Sequence, residues 1–500
     1  MASTPHGAPQ ENRVRASYCG QVPAPRRRLS STRPDLRAAF AAIRTEFAVP
    51  VDFSPQAMTE AQAAAQVDPR SPAGDQPRRD LTAVELVTID PAGSTDLDQA
   101  MHLQRRGSGY QVHYAIADVA AFVMPGASLD HATHDRVETV YCPDERIPLH
   151  PTVLSEGAAS LLPGKDRPAV MWTLDLGPDG SVEKAVVERA TVRSRAQLDY
   201  PHVQAQLDAS PGPDDLATLL AEIGTRRAAL EQARGGVSLA RPEQEVVDVP
   251  GDGWGVAMRA PLPVEDHNAQ ISLMTGMAAA DIMLSACVGI LRTMPAAHPA
   301  DIARLRRQAL ALGVPWPAGR PYGEALAALD RSLPETAAFL SAATSLFRGA
   351  AWTPFQGAPP AQKVHGAVGA PYAHVTAPLR RLVDRYGTEI CLATVAGRPV
   401  PAWVLDALPT LGTEMEQGAR RSAAVDRACT DLVEAAVLAG HVGEVFDGVA
   451  LDERTVQLTD PAVVARTEGP ALPAGDRVRV RLAEADLTSR TVRFEVAPPA

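Results

Sequence analysis

Hydrophobic positions near the start of the chain recur at helical spacing. Leu36, Phe40, Ile43 and Phe47 line one face, and a second helical stretch runs from about Met58 to Gln66. A Pro/Gly/Asp-rich linker at 68–78 follows. From Leu81 the period shortens. Leu86–Ile89, Gln111–Ala117, Val137–Tyr141 and Val170–Leu176 are short, apolar or alternating, and bounded by Gly, Pro and Asp, as strands are. Longer helical patterns occupy 215–234, 265–288, 301–312, 323–346, 378–396 and 403–440. Strands first and helices later predict an α+β fold with sheet and helices packed together. After Gly440 the period returns to two: Val478, Val480 and Leu482 face one side, Arg477, Arg479 and Arg481 the other. Val492, Phe494 and Val496 alternate again. Several short strands in about 60 residues predict a small β-barrel. Its arginine face suits a nucleic-acid backbone, and a solvated strand face shows the same pattern.

Five hundred residues exceed what one hydrophobic core serves, so two or three domains are expected. With 45% hydrophobic and 21% charged residues, the composition is that of a globular protein and excludes general disorder. The net charge of −11 argues against a protein that coats nucleic acid non-specifically, yet allows an enzyme with a local basic channel. Lysine occurs only at Lys165, Lys184 and Lys363, so arginine supplies nearly all positive charge, a bias matching the abundance of Ala, Pro and Gly. Residues 1–32 read as a flexible basic arm, either a solvated tail or an RNA contact. Seven arginines lie between Arg13 and Arg37, against Glu11 and Asp35. The five cysteines are far apart and form no Cys-x-x-Cys pair, which suits a reducing cytoplasm rather than a zinc ribbon or disulfide framework. No run of 18 apolar residues predicts a membrane span, and Arg26–Arg28 lack the apolar core of an export signal. A cytoplasmic location is expected, and nothing demands more than a monomer.

Two segments carry chemistry. In Thr88-Ile-Asp-Pro-Ala-Gly-Ser-Thr-Asp-Leu-Asp-Gln-Ala100, three carboxylates (Asp90, Asp96, Asp98) follow an apolar strand around a Pro/Gly turn. Clustered carboxylates repel unless a cation neutralises them, so a hard divalent metal is a natural resolution. A structural calcium-like loop or an exposed acidic turn shares the spacing. The second segment is Pro371-Tyr-Ala-His-Val-Thr-Ala-Pro-Leu-Arg-Arg-Leu-Val-Asp-Arg-Tyr386. Its spacing predicts a helix opening at Pro378, capped by Thr376 or Ala377. Arg380 and Arg381 then fall in the first turn and make a phosphate-binding terminus. An ordinary Arg380–Asp384 ion pair along the helix accounts for the same spacing.

Together these segments resemble the ribonuclease II / RNB exoribonucleases. Residues 88–100 match the family's acidic motif and 372–384 its arginine motif. Between them, Ile116-Ala-Asp-Val119 stands in register, with Ala115 where histidine is usual. Val140-Tyr-Cys-Pro-Asp-Glu-Arg-Ile-Pro-Leu-His-Pro151, and Leu154-Ser through Ser160-Leu-Leu-Pro to Arg167, follow in the family's order. The resemblance covers about 81–398 and implies the following organisation: an arm and helical module at 1–80, an RNB catalytic domain at 81–400, connecting helices at 401–440, and an S1/OB-type barrel at 441–500. The N-terminal residues do not resemble the family's usual cold-shock pair and read as a shorter, helical module.

The resemblance further implies hydrolytic 3′→5′ degradation of single-stranded RNA to nucleoside 5′-monophosphates, with Mg²⁺ or Mn²⁺ as cofactor. Asp90, Asp96 and Asp98 match metal-binding aspartates, and Asp98 is the one on which cleavage depends most. Arg380 matches the arginine that contacts the scissile phosphate, with Arg381 a second phosphate contact. Tyr141 matches a tyrosine near the RNA 3′ end, Tyr200 an aromatic that stacks on a terminal base, and His374 and Thr376 fall on the RNA-binding segment. Two positions depart. Gln99 stands where a fourth metal-binding aspartate is usual and is expected to coordinate through its amide oxygen. Gln270 stands where glutamate is frequent. These departures also fit an RNA-binding protein of the same fold with little activity, and an enzyme acting on DNA ends shares the residue chemistry.

Overall fold

The computed structural model describes residues 35–72, 77–210, 212–239, 243–249, 253–329 and 333–497. The basic arm at 1–32, the Arg26–Arg28 triplet and Cys19 lie outside the described residues. So does part of the 68–78 linker.

The central sheet comprises β1 (Arg79–Asp80), β2 (Leu86–Asp90), β3 (Gln99–Arg106), β4 (Gly109–Ala117), β5 (Asp166–Leu176) and β6 (Val182–Asp199). The long β6 pairs antiparallel with β5 along its first two thirds, and its last part, Ser194–Asp199, pairs parallel with β2. Since β2, β3, β4 and β5 are consecutive neighbours, the pairing circuit closes through β6. Successive side chains point to opposite faces, and both faces are covered. On β4 and β5, Tyr114, Val170 and Trp172 belong to one core with Ile271, Met274 and Tyr386. Ala115, Ala169 and Met171 belong to the other, with Leu97, Leu129 and Leu154. That double burial explains why β4 reads as a continuous apolar run at its end rather than a clean alternation.

Pro263–Ala286, a long apolar helix, packs between Leu216–Ala233 and Leu382–Val395 as a core element. Helices also form at Arg37–Glu46 and Pro55–Ala64, the second capped by Ser54, whose Oγ accepts from the Ala57 amide at 3.1 Å. They join different cores. Phe40 and Ile43 pack on Val425, Cys429 and Leu432 of the 37-residue helix Ala402–Leu438. Ala57 and Ala61 pack beneath the sheet. The strands Val445–Ala450, Thr455–Leu458, Val464–Glu468, Arg477–Asp486 and Thr491–Val496 close into the expected barrel. Val480, Leu482 and Phe494 fill it, while Arg477, Arg479 and Arg481 face outward.

Three expectations are corrected. The helix expected over 323–346 is divided into Tyr322–Ala327 and Pro334–Ala343, because a proline inside the run does not continue a helix. The strand expected over Val137–Tyr141 exists only as Val140–Tyr141, in a hairpin with Arg146–Ile147. The helix expected from Pro378 begins at Leu382, with Arg381 extended as its cap (φ −136°, ψ 127°). Long-range pairing overrides the local signal there: the Thr139 amide donates to the Arg380 carbonyl at 3.0 Å, and the Leu382 amide to the Val137 carbonyl at 2.9 Å. Arg380 and Arg381 therefore sit in a turn before the helix.

Candidate active site

The acidic segment forms where β2 ends. Asp90 is its last residue and pairs across the sheet with Asp199 of β6. The turn from Pro91 is tied down by a distant segment. Ser160 Oγ donates to the Thr95 carbonyl at 2.7 Å and accepts from the Leu97 amide at 3.0 Å. The Leu161 amide donates to the Leu97 carbonyl at 3.0 Å. Leu97 is fully buried, which rotates its neighbours Asp96 and Asp98 toward the other side of the turn.

Asp98 is 4% exposed. Its Oδ1 accepts from the Leu379 amide at 2.7 Å, and its Oδ2 lies 3.5 Å from Arg380 Nε. Burial pushes its carboxyl up to about 8, against the pull of Arg380 and the Leu379 amide. Asp90 is pushed up to about 6, by burial and then by the neighbouring Asp96 charge. Its Oδ2 is buried without a hydrogen-bond partner. Asp96 is gripped by Arg146, which also donates to Thr95 Oγ1 at 2.9 Å and pairs with Glu156. Arg146 is a site residue that pattern reading missed. Its position beside Tyr141 in a tight hairpin was the available signal.

The two arginines of the second segment separate in role. Asp384 is fully buried, accepts from the Ala377 amide at 2.7 Å, and holds Arg381 through two contacts of 2.9 Å. Arg381 is thus engaged within its own turn, whereas Arg380 faces Asp98 with 43% of its side chain exposed. The Arg380–Asp384 pair allowed by spacing is absent among the described contacts, because the helix begins two residues too late for it.

Tyr141 is 55% exposed, with its hydroxyl among Asp96, Asp98 and Arg380; burial of that end and the Asp96 charge push it up to about 12. Tyr200 follows Asp199 and so lies beside Asp90. Asn268 donates to its hydroxyl at 3.1 Å. His374 is held well below the ordinary imidazole range by burial and by Arg381, Arg292 and Arg380. Its ring meets the edges of Trp352 and Tyr372 at 4.9 and 5.1 Å. Thr376 contributes its carbonyl, which accepts from the Gln99 amide nitrogen. The Gln99 amide oxygen accepts from Tyr114 Oη at 2.9 Å. Gln270 bonds Glu231 on a neighbouring helix and makes no hydrogen bond to the acidic cluster.

Among the described residues, no three Asp, Glu, His or Cys side chains converge as a ready-made metal set. Arg146 pairs with Asp96 and Arg380 faces Asp98. The donor chemistry still fits a hard cation: the oxygens of Asp90, Asp96 and Asp98 share one turn, and Asp90 Oδ2 is an unpartnered buried acceptor beside Asp96. The Gln99 amide, expected as a further ligand, has both its nitrogen and its oxygen in hydrogen bonds.

Known proteins share the domains and the fold of this chain. The sequence model of the RNB domain matches residues 78–391, and that of the RNase II-type exonuclease C-terminal S1 domain matches 444–497. Exoribonuclease 2 of Klebsiella pneumoniae is 35% identical over 179 residues, which are 34% of this chain and 28% of that protein. The matched stretch thus spans well under a third of the relative's length. Among solved structures, Mycoplasma genitalium RNase R in complex with ribose-methylated single-stranded RNA superposes with a TM-score of 0.80 at 17% identity. That match covers 92% of this chain and 78% of the other. Yeast Ssd1, described as a pseudonuclease, superposes with a TM-score of 0.65 at 16% identity, covering 85% and 53%. At these identities both likenesses are of fold.

Proposed function

Since the chain belongs to the RNB family of exoribonucleases, we propose that it is a metal-dependent hydrolase degrading single-stranded RNA from the 3′ end to nucleoside 5′-monophosphates. The observation that carries this reading is the meeting of Asp98 and Arg380, 282 positions apart, at 3.5 Å beside Asp90 and Asp96. Arg380 is the exposed cation of an otherwise closed turn. It is suited to neutralise charge that develops on a phosphorane-like transition state. Asp98 orients its guanidinium from below while the Leu379 amide fixes Asp98. Water adds to the phosphorus of the last nucleotide, the bond to the preceding 3′-oxygen breaks, and a new 3′-hydroxyl is left on the shortened chain. Magnesium or manganese, held by Asp90, Asp96 and Asp98, supplies polarisation of the phosphate and activation of the water when bound. Tyr141 and Tyr200 flank the acidic cluster, and the exposed Tyr141 ring is available to stack on a terminal nucleotide, while Tyr200 is half-buried against the core.

The test is a time course on 5′-labelled single-stranded RNA with Mg²⁺, Mn²⁺ or chelator, alongside Asp98→Asn. A metal-dependent ladder or short end product, absent in the variant, supports the proposal. Intact RNA in every lane with retained binding would support a second reading, a non-catalytic RNA-binding protein. The engagement of Asp96 by Arg146 and the glutamine at position 99 favour that alternative.

A further inference from the structure

We infer that Gln99 is a positioning residue, not a metal ligand: it latches the turn that carries Arg380 onto the central sheet. The inference rests on the reading of Asp90, Asp96 and Asp98 as the metal-holding cluster, and it concerns how this chain orders that cluster's partner arginine.

Gln99 opens β3 directly after Asp98, and its side chain uses both polar ends. The amide nitrogen donates to the Thr376 carbonyl. The amide oxygen accepts from Tyr114 Oη at 2.9 Å, and Tyr114 in turn meets Ser272 Oγ at 2.7 Å. A chain of polar contacts thus runs from the helix Pro263–Ala286 through β4 and β3 into the turn. Tyr114 is fully buried, so its hydroxyl needs these partners and fixes the orientation of the amide.

The turn is therefore held to the sheet at two consecutive residues. Asp98 accepts from the Leu379 amide, and Gln99 donates to the Thr376 carbonyl three residues earlier. One bond uses an acceptor side chain and the other a donor. An aspartate at position 99, usual in the proteins this segment resembles, has no donor to offer a carbonyl and is one methylene shorter. The exchange of carboxylate for amide therefore removes a negative charge from the acidic cluster and adds a tether on the arginine turn. Arg380 is thereby placed by protein contacts that need no bound cation.

The experiment uses the full chain with Gln99→Met, which keeps side-chain length and removes both hydrogen bonds, and Gln99→Glu, which keeps the acceptor for Tyr114 but loses the donor. Amide hydrogen exchange over 375–381 is measured without metal or RNA, and Mn²⁺ binding is measured separately by calorimetry. Both variants are expected to exchange about tenfold faster in that segment, the loss of roughly one net hydrogen bond. Mn²⁺ affinity in Gln99→Met is expected within about twofold of wild type, since no ligand is lost. Where turnover is measurable, kcat falls in both variants with little change in KM. Unchanged exchange in both variants overturns the inference, and so does a tenfold loss of Mn²⁺ affinity in Gln99→Met. Because the exchange readout requires no hydrolysis, failure of the nuclease proposal leaves this test intact.

Discussion

Asp98 meets two opposed demands: it is 4% exposed, yet it must remain a carboxylate beside Arg380. Its Leu379 bond survives replacement by asparagine, whose carbonyl oxygen still accepts, whereas the charge facing Arg380 does not. Asp98→Asn is therefore expected to bind single-stranded RNA about as well as wild type while hydrolysis falls by about a thousandfold or more. Equal turnover would remove Asp98 from the site. Cys142 lies one position past Tyr141. A hydrogen bond from the Cys429 thiol, with Arg44 alongside, holds the Cys142 thiol below the ordinary thiol range. Burial pushes Cys391 up. Cys142 is expected to be alkylated by iodoacetamide at pH 7.5 several times faster than Cys287, Cys391 or Cys429, as read by peptide mapping. Cys429→Ala is expected to slow that reaction. At this scale the carboxylates and Arg380 were legible because their chemistry is local. Arg146 and Ser160 were not, since their role is to hold a turn more than 45 residues away in sequence.

At the scale of elements, local pattern located the long helices, three strands of the central sheet and the barrel, and it missed polar strands such as Gln99–Arg106 and Val182–Asp199 and failed where a distant strand or an internal proline competes. Pro378 is a sound helix opener, but the Val137–Thr139 segment claims the backbone of Arg380–Leu382 first. Strands β3 and β6 were missed entirely because Gln99–Arg106 and Val182–Asp199 are rich in polar and charged residues; their strand character comes from neighbours on both sides. Within the arginine turn, Asp384 is the structural centre, fully buried between the Ala377 amide and Arg381. Asp384→Ala leaves the half-buried Arg381 and the Ala377 amide without their partner and is expected to cost about 2–4 kcal/mol in chemical denaturation. Asp384→Asn keeps an acceptor for the amide and is expected to cost less. If the two variants prove equally stable, the turn is held chiefly by its contacts to Asp98 and Gln99.

At the scale of the whole molecule, the barrel is joined to the catalytic region through a carboxylate on the long helix. Glu434, 4% exposed, accepts through Oε1 from the Val464 amide of the barrel at 2.7 Å and from Gln244 of a hairpin at 2.6 Å. The barrel itself was readable from its period of two, but this junction was not, because a lone glutamate in a helical pattern reads as a solvated face. Burial pushes Glu434 up to about 7, from an ordinary value of 4.5, against both hydrogen bonds. Folding therefore favours its protonated form. Below about pH 4.5 the group is protonated in both states and carries no penalty. Between 4.5 and 7 the unfolded chain releases the proton while the folded one keeps it, so stability falls as pH rises. Above 7 the loss is complete, on the order of 3 kcal/mol. Glu434→Gln keeps the Oε1 acceptor and removes the titration. The variant is expected to unfold at higher temperature or denaturant than wild type at pH 8, with the difference vanishing near pH 4.5. A variant less stable at pH 8 would mean that the ionised carboxylate is itself the bond that docks the barrel.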